Sequence, residues 1–218
     1  MATSVLVLGA GFGGMELATV LSDELDEAEV TLIDKGDSFV FGYSKLDVMF
    51  GREPAAAVKL PYAEFTKPGV TPLREEVTQI DPEAKRVVTD SGEHEGDHLV
   101  VALGADYDFD ATPGLAEVDS EFYSVAGAEK MAAAIPEFSQ GRAVIGVCGA
   151  PFKCPPAPSE AALLLNDDLI SRGVRDDCEI TFLMPLPSPV PPSPETSEAL
   201  LAEFADRDIH FVPGARIA

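Results

Sequence analysis

The first 34 residues constrain this chain more than any other stretch. Val5-Leu6-Val7-Leu8 is a short apolar run that reads as a buried strand. Gly9-Ala10-Gly11-Phe12-Gly13-Gly14 follows at once, and Met15 to Leu21 has the apolar spacing of a helix. Glu29 to Ile33 reads as a second strand and ends in Asp34, 20 residues after Gly14. Strand, glycine turn, helix and spaced acid together make a dinucleotide fingerprint. Gly9 permits the tight turn, Gly11 lets a pyrophosphate approach bare backbone, and Gly14 lets the helix pack close to the strand. The helix N-terminus offers free N–H groups to phosphate, and Asp34 can accept from ribose hydroxyls.

Composition narrows the function further. With 15 basic and 38 acidic residues the formal charge is −23. Such a surface repels nucleic acid and disfavours simple electrostatic attachment to an anionic membrane. The acids are spread along the chain, as on a solvated globular surface, and screening by salt is expected to stabilise it. No signal peptide or membrane-length apolar run is read, and three cysteines (Cys148, Cys154, Cys178) do not make a disulfide framework. A reducing, cytoplasmic compartment is expected. His94, His98 and His210 do not cluster at metal-ligand spacing, so no metal site is expected.

After the second strand the chain reads as an irregular connection from Gly36 to Pro68, with at most one or two helical turns between Pro61 and Thr66. Glu75–Asp81 and Lys85–Thr89 form a small antiparallel unit, and Asp97–Gly104 is a strand ending in small residues. Val125–Ile135 is helical. A second β-α-β follows, with a strand at Arg142–Cys148, a helix at Ser159–Arg172 and a strand at Glu179–Met184. A proline-rich loop, a helix at Glu195–Asp206 and a strand at Ile209–Val212 complete the chain. Cys148 on its strand and Cys178 at the start of the next read as small core residues.

The chain resembles the flavoproteins with two dinucleotide-binding domains, and within them the sulfide:quinone oxidoreductase and flavocytochrome c sulfide dehydrogenase branch. The resemblance is carried by Gly9–Gly14 with Asp34-Lys35, by Leu99–Tyr107 with Pro113-Gly114-Leu115, and by Pro151-Phe152-Lys153-Cys154-Pro155-Pro156-Ala157-Pro158-Ser159-Glu160. It implies an α/β fold of two Rossmann-like domains of the three-layer ββα type. Residues 1–112 would bind FAD, and 113–218 would form a second, incomplete domain. Gly9, Gly11, Phe12, Gly13 and Gly14 would cradle the FAD pyrophosphate, and Asp34 and Lys35 would meet the adenosine ribose. Val77 would contact adenine through its backbone, and Ala102 and Gly104 would form a second FAD contact. Leu103 stands where the family usually has Thr.

The resemblance also makes Cys154 one of a redox pair beside the flavin, with Lys153 as an electrostatic helper. Its position just ahead of a helix N-terminus and next to Lys153 favours the thiolate. Hydrosulfide would attack a disulfide of Cys154, and electrons would pass through flavin to a quinone or another acceptor. The family is longer than this chain. Its later part carries the partner cysteine, the quinone pocket and the membrane-facing helices, so a truncated piece, peripheral to the membrane through what is missing, is expected. Two alternatives stand beside this reading. One is an NAD(P)H-dependent flavin dehydrogenase like the type II NADH dehydrogenases, against which the second turn, Gly146 to Lys153, lacks GxGxxG. The other is a catalytically silent flavin-binding module that acts through a partner.

Overall fold

The computed structural model describes residues 2–25, 27–118, 120–215 and 217. It divides into two compact units: residues 1–41 with 59–107, and residues 42–58 with 108–218. Residues 42–58, expected with the first domain, therefore group with the second.

In the first unit, β1 (Thr3–Leu8) runs into α1 (Phe12–Glu24) and returns as β2 (Ala28–Asp34). β3 (Ser38–Val40) follows and leads to α2 (Ser44–Met49), which belongs to the second unit. The chain comes back as β4 (Lys59–Pro61), antiparallel to β3, and a single 3-10 turn at Tyr62–Glu64. β5 (Val70–Arg74), β6 (Val77–Asp81), β7 (Arg86–Thr89), β8 (Glu93–Glu95) and β9 (His98–Val101) complete this unit. The main sheet is parallel with order β5-β2-β1-β9, while β6-β7-β8 is a separate antiparallel sheet. Val5, Val7, Val30 and Leu32 pack under α1 on one face of the main sheet. Leu6, Leu8 and Ile33 meet Val87 of β7 on the other. The period-2 alternation of a two-sided strand thus yields the layered ββα arrangement.

The second unit continues with α3 (Val125–Ala134), β10 (Gly141–Gly146), α4 (Ala157–Ser171), β11 (Cys178–Met184), α5 (Pro194–Asp206) and β12 (Ile209–Pro213). Its sheet is parallel, β10-β11-β12. Ile180, Phe182 and Met184 of β11 are buried with Leu165 and Leu169 of α4 and Phe204 of α5. Arg175 locks the end of the sheet away from the cysteine loop. It donates to Asn166 Oδ1 (2.8 Å) and to the carbonyls of Cys178 (2.7 Å), Arg207 (2.6 Å) and Asp208 (3.0 Å).

Two expectations need correction, and one strand was not foreseen. The stretch 36–68 is not an irregular connection: Leu46, Val48 and Met49 bury one side of α2 in the second unit's core. β5, which no expectation covered, accommodates Pro72 because it is the edge of its sheet, where a missing N–H costs no ladder bond. Cys148 is not on a strand. β10 ends at Gly146, and Cys148 lies half-buried in the loop beyond it. No helix among the described residues is long and apolar enough to cross a membrane.

Candidate functional site

Only Gly9-Ala10-Gly11 separates β1 from α1, and each glycine there answers a different constraint. Gly9 has φ +95°, and a Cβ on it would lie 2.8 Å from the carbonyl carbon of Ala102. Gly14 sits where a Cβ would lie 3.0 Å from the carbonyl carbon of Gly9 and 3.3 Å from Val7 Cγ1. Around Gly11 the space is open, with nothing within 4 Å of a Cβ. The α1 N-terminus has no side-chain cap and no acidic residue in its first turn, so its orphan N–H groups and positive dipole end are available to an anion. A diphosphate fits this arrangement on steric and electrostatic grounds.

Asp34 closes β2 beside the turn. Its Oδ2 accepts from Ala10 N–H and its Oδ1 from Gly36 N–H, each at 2.7 Å. Two bonds leave the carboxylate further acceptor sites for ribose hydroxyls. Lys35 is exposed and 4.0 Å from Glu76. Phe12 is 58% exposed at the start of α1, in edge contact with Phe39 (5.0 Å between centroids) and Phe41 (5.4 Å). Gly13 is beside Ala102: a Cβ there would lie 3.8 Å from that residue's Cβ. Ala102 N–H donates to Leu8 carbonyl at 2.8 Å, just past the end of β9. Gly104 turns away with φ +72°. Val77 opens β6 and is half-buried.

The second unit holds the other group. The connection from β10 to α4 takes residues 147–156, and Cys154 stands in it with φ +55°. Left-handed backbone in a non-glycine residue costs about 1–2 kcal/mol and persists only where the surroundings hold it. Here the Cys154 carbonyl accepts from Ala157 N–H at 3.0 Å. Tyr123 Oη donates to the carbonyls of Lys153 (2.9 Å) and Cys154 (3.4 Å). Lys45 Nζ in turn donates to the Tyr123 carbonyl at 2.5 Å. Glu121 fixes the same loop by accepting from Tyr123 N–H (2.7 Å), Ser124 N–H (2.9 Å) and the Ser124 hydroxyl.

The thiol has a direct partner in Tyr43. Burial, a hydrogen bond with Cys154, and the charges of Cys154 and Glu160 push the Tyr43 phenol up to about 12, so it stays a donor at neutral pH. Burial and the charge of Lys153 lower the Lys45 ammonium, against the opposing pull of Glu121 and Cys154. All three cysteines are free; burial raises the Cys148 thiol, and Cys178 is buried in β11. Among the described residues no three His, Cys, Asp or Glu side chains gather as a metal site.

The glycine turn, Asp34 and Ala102 thus come together in the first unit, and Lys153 and Cys154 lie in the second. Lys35 and Val77 stand apart from the turn's hydrogen bonds. Glu121 and Tyr123 carried no signal in the sequence; Phe39 to Lys45 reads there as a stretch that could pass under a cofactor ring, but about 110 residues separate Tyr43 from Cys154 and no local spacing links the two.

Mouse mitochondrial sulfide:quinone oxidoreductase is 28% identical over 188 residues, 82% of this chain and 41% of that protein. The type II NADH:quinone oxidoreductase of Staphylococcus saprophyticus is 34% identical over 137 residues, 58% of this chain and 32% of that one. The X-ray structure of the sulfide:quinone oxidoreductase from Aquifex aeolicus matches with TM-score 0.85 and 25% identity, over 99% of this chain and 52% of that one. The chain therefore spans about half the length of these relatives, or less. The model of the pyridine nucleotide-disulphide oxidoreductases matches residues 3–218. The chain belongs to that family, a family of FAD-binding flavoproteins.

Proposed function

We propose that the chain is the flavin-binding and cysteine-bearing part of an oxidoreductase that takes electrons from sulfide or a related sulfur species and passes them to a quinone or another acceptor. The observation that carries this reading is the Cys154 site. Its backbone is left-handed, its thiol is hydrogen-bonded to Tyr43, and two lysines lie near it. Gly9, Gly11, Phe12, Gly13 and Gly14 hold the FAD pyrophosphate in this assignment, and Asp34 and Lys35 meet the ribose. Val77, Ala102 and Gly104 line the remainder. FAD, when bound, supplies a two-electron acceptor.

The chain's own residues do the rest. Tyr43 donates to the Cys154 sulfur and orients it. The positive charges of Lys45 and Lys153 favour an incoming hydrosulfide anion over a neutral nucleophile. Hydrosulfide attacks a disulfide between Cys154 and a second cysteine, which the resemblance assigns to the part of the family's length beyond this chain. One S–S bond forms and another breaks. The attacked cysteine is left as a persulfide, and the other leaves as a thiolate bearing the electron pair.

An NADH-dependent reaction is the second reading, favoured by the likeness to a type II NADH:quinone oxidoreductase. The head of α4 argues against it. Pro156 and Pro158 have no N–H, and Ala157 N–H is spent on the Cys154 carbonyl at 3.0 Å. A diphosphate there would meet few free donors. The test is anaerobic absorbance of the full-length FAD-loaded protein. Bleaching by sulfide, abolished in Cys154→Ser, is the expected result. Bleaching by NADH but not sulfide would overturn the reading, and so would undiminished sulfide bleaching in the variant.

A further inference from the structure

Ala10 sits in the middle of the glycine turn and is bonded on both sides. Its N–H donates to Asp34 Oδ2 at 2.7 Å. Its carbonyl accepts from Tyr62 Oη at 2.9 Å, across 52 residues of sequence. Tyr62 is itself fixed: its N–H donates to the Asp37 carbonyl at 2.9 Å, and its ring packs against the core under α1. The ring edge also lies 3.9 Å from where a Cβ on Gly36 would be. Asp34, Gly36, Asp37 and Tyr62 thus form one connected frame around Ala10.

A peptide unit is planar and trans, so the carbonyl of one residue and the N–H of the next point in opposite directions. The Ala10 carbonyl is held by Tyr62. The Gly11 N–H must then face away from Tyr62, and Gly11 is the residue of the turn with open space around it. We infer that Tyr62 is a positioning residue for the cofactor, which aims the Gly11 N–H at the pyrophosphate by anchoring the Ala10 carbonyl. This rests on the reading that the glycine turn binds FAD. Burial and the charges of Asp34 and Asp37 push the Tyr62 phenol up to about 12, so it keeps the proton it donates at neutral pH.

The test is a titration of the chain with FAD, followed by flavin fluorescence, with ADP and adenosine as competitors. Tyr62→Phe keeps the ring and removes only the donor. FAD and ADP are expected to bind about ten-fold more weakly to it, while adenosine, which lacks the pyrophosphate, binds within about two-fold of wild type. Equal binding of FAD to both proteins would overturn the role of Tyr62 and leave the FAD reading standing. An equal loss for adenosine, or a urea midpoint that falls in step with the affinity, would make Tyr62 a structural support only and overturn the inference as well. A wild-type chain that binds no FAD, with or without the variant, would instead overturn the reading beneath it.

Discussion

Replacing Gly14 by alanine should loosen α1 from the sheet. Gly14 is buried in the first turn of α1, directly over the turn that leaves β1. The new Cβ would overlap the Gly9 carbonyl oxygen and lie 3.0 Å from its carbon and 3.3 Å from Val7 Cγ1. The Gly9 backbone has no slack to yield, since its N–H is held by the Ile33 carbonyl at 2.7 Å and its φ is +95°. Helix propensity favours alanine over glycine by about 1 kcal/mol. Overpacking against a fixed backbone costs about 3 kcal/mol, the upper end of its usual range. The net expectation for G14A is a loss of about 2 kcal/mol, or about 4–8 °C in melting temperature for a chain of this length. Gly13 provides the control in the same turn. Its Cβ would meet only Ala102 Cβ, at an ordinary 3.8 Å, so G13A should gain up to about 1 kcal/mol without cofactor. Urea unfolding followed by circular dichroism measures both. A G14A protein no less stable than G13A would refute the close-packing argument.

The remaining predictions concern charge and folding units. Hydrogen bonds from Thr89 and His94 lower the Glu75 carboxyl below its ordinary 4.5. A depressed carboxyl contributes stability that is full above the unfolded value and lost as pH falls through the folded one. The gap in urea midpoint between wild type and E75Q should therefore shrink as pH drops below about 4.5, and a constant gap from pH 6 to 3 would contradict it. Residues 113–218 expressed alone lack α2, and with it the burial of Leu46, Val48 and Met49. At about 1.5–3 kcal/mol per side chain the loss is comparable with a domain's whole stability, so this piece should show no cooperative melt. Melting at the parent's temperature would be the contrary result.

Much of this fold was legible in the sequence because its strands and helices are strongly patterned. Val5–Leu8, the glycine turn, and the second unit's alternation of strand and helix appear within a residue or two of their expected bounds. What was not legible depended on partners distant in sequence. β5 contains Pro72, which a strand admits only at a sheet edge, and edge position is not local information. Cys148 has the small, apolar neighbours of a strand residue, yet β10 ends two residues earlier. Of the candidate site residues, the glycines announced their roles through spacing, because conformation and close approach are local demands. Tyr62 and Tyr123 did not, because a hydrogen bond to a distant backbone carbonyl leaves no local signature in the residue that makes it, and neither does the bond from Tyr43 to the Cys154 thiol.

The segment 42–58 shows why that gap falls where it does. The chain leaves the first unit after β3, gives α2 to the core of the second, and returns as β4. This excursion supplies two of the groups around Cys154. Tyr43, just before α2, is the partner of the thiol, and Lys45 in its first turn binds the loop that carries Tyr123. A sequence read element by element assigns such a segment to a connection, since six helical residues form no stable helix alone. Its buried face fixes α2, and α2 in turn sets where Tyr43 and Lys45 stand relative to Cys154. The apolar pattern of Leu46, Val48 and Met49 is therefore as much a determinant of the cysteine's surroundings as the prolines that flank it.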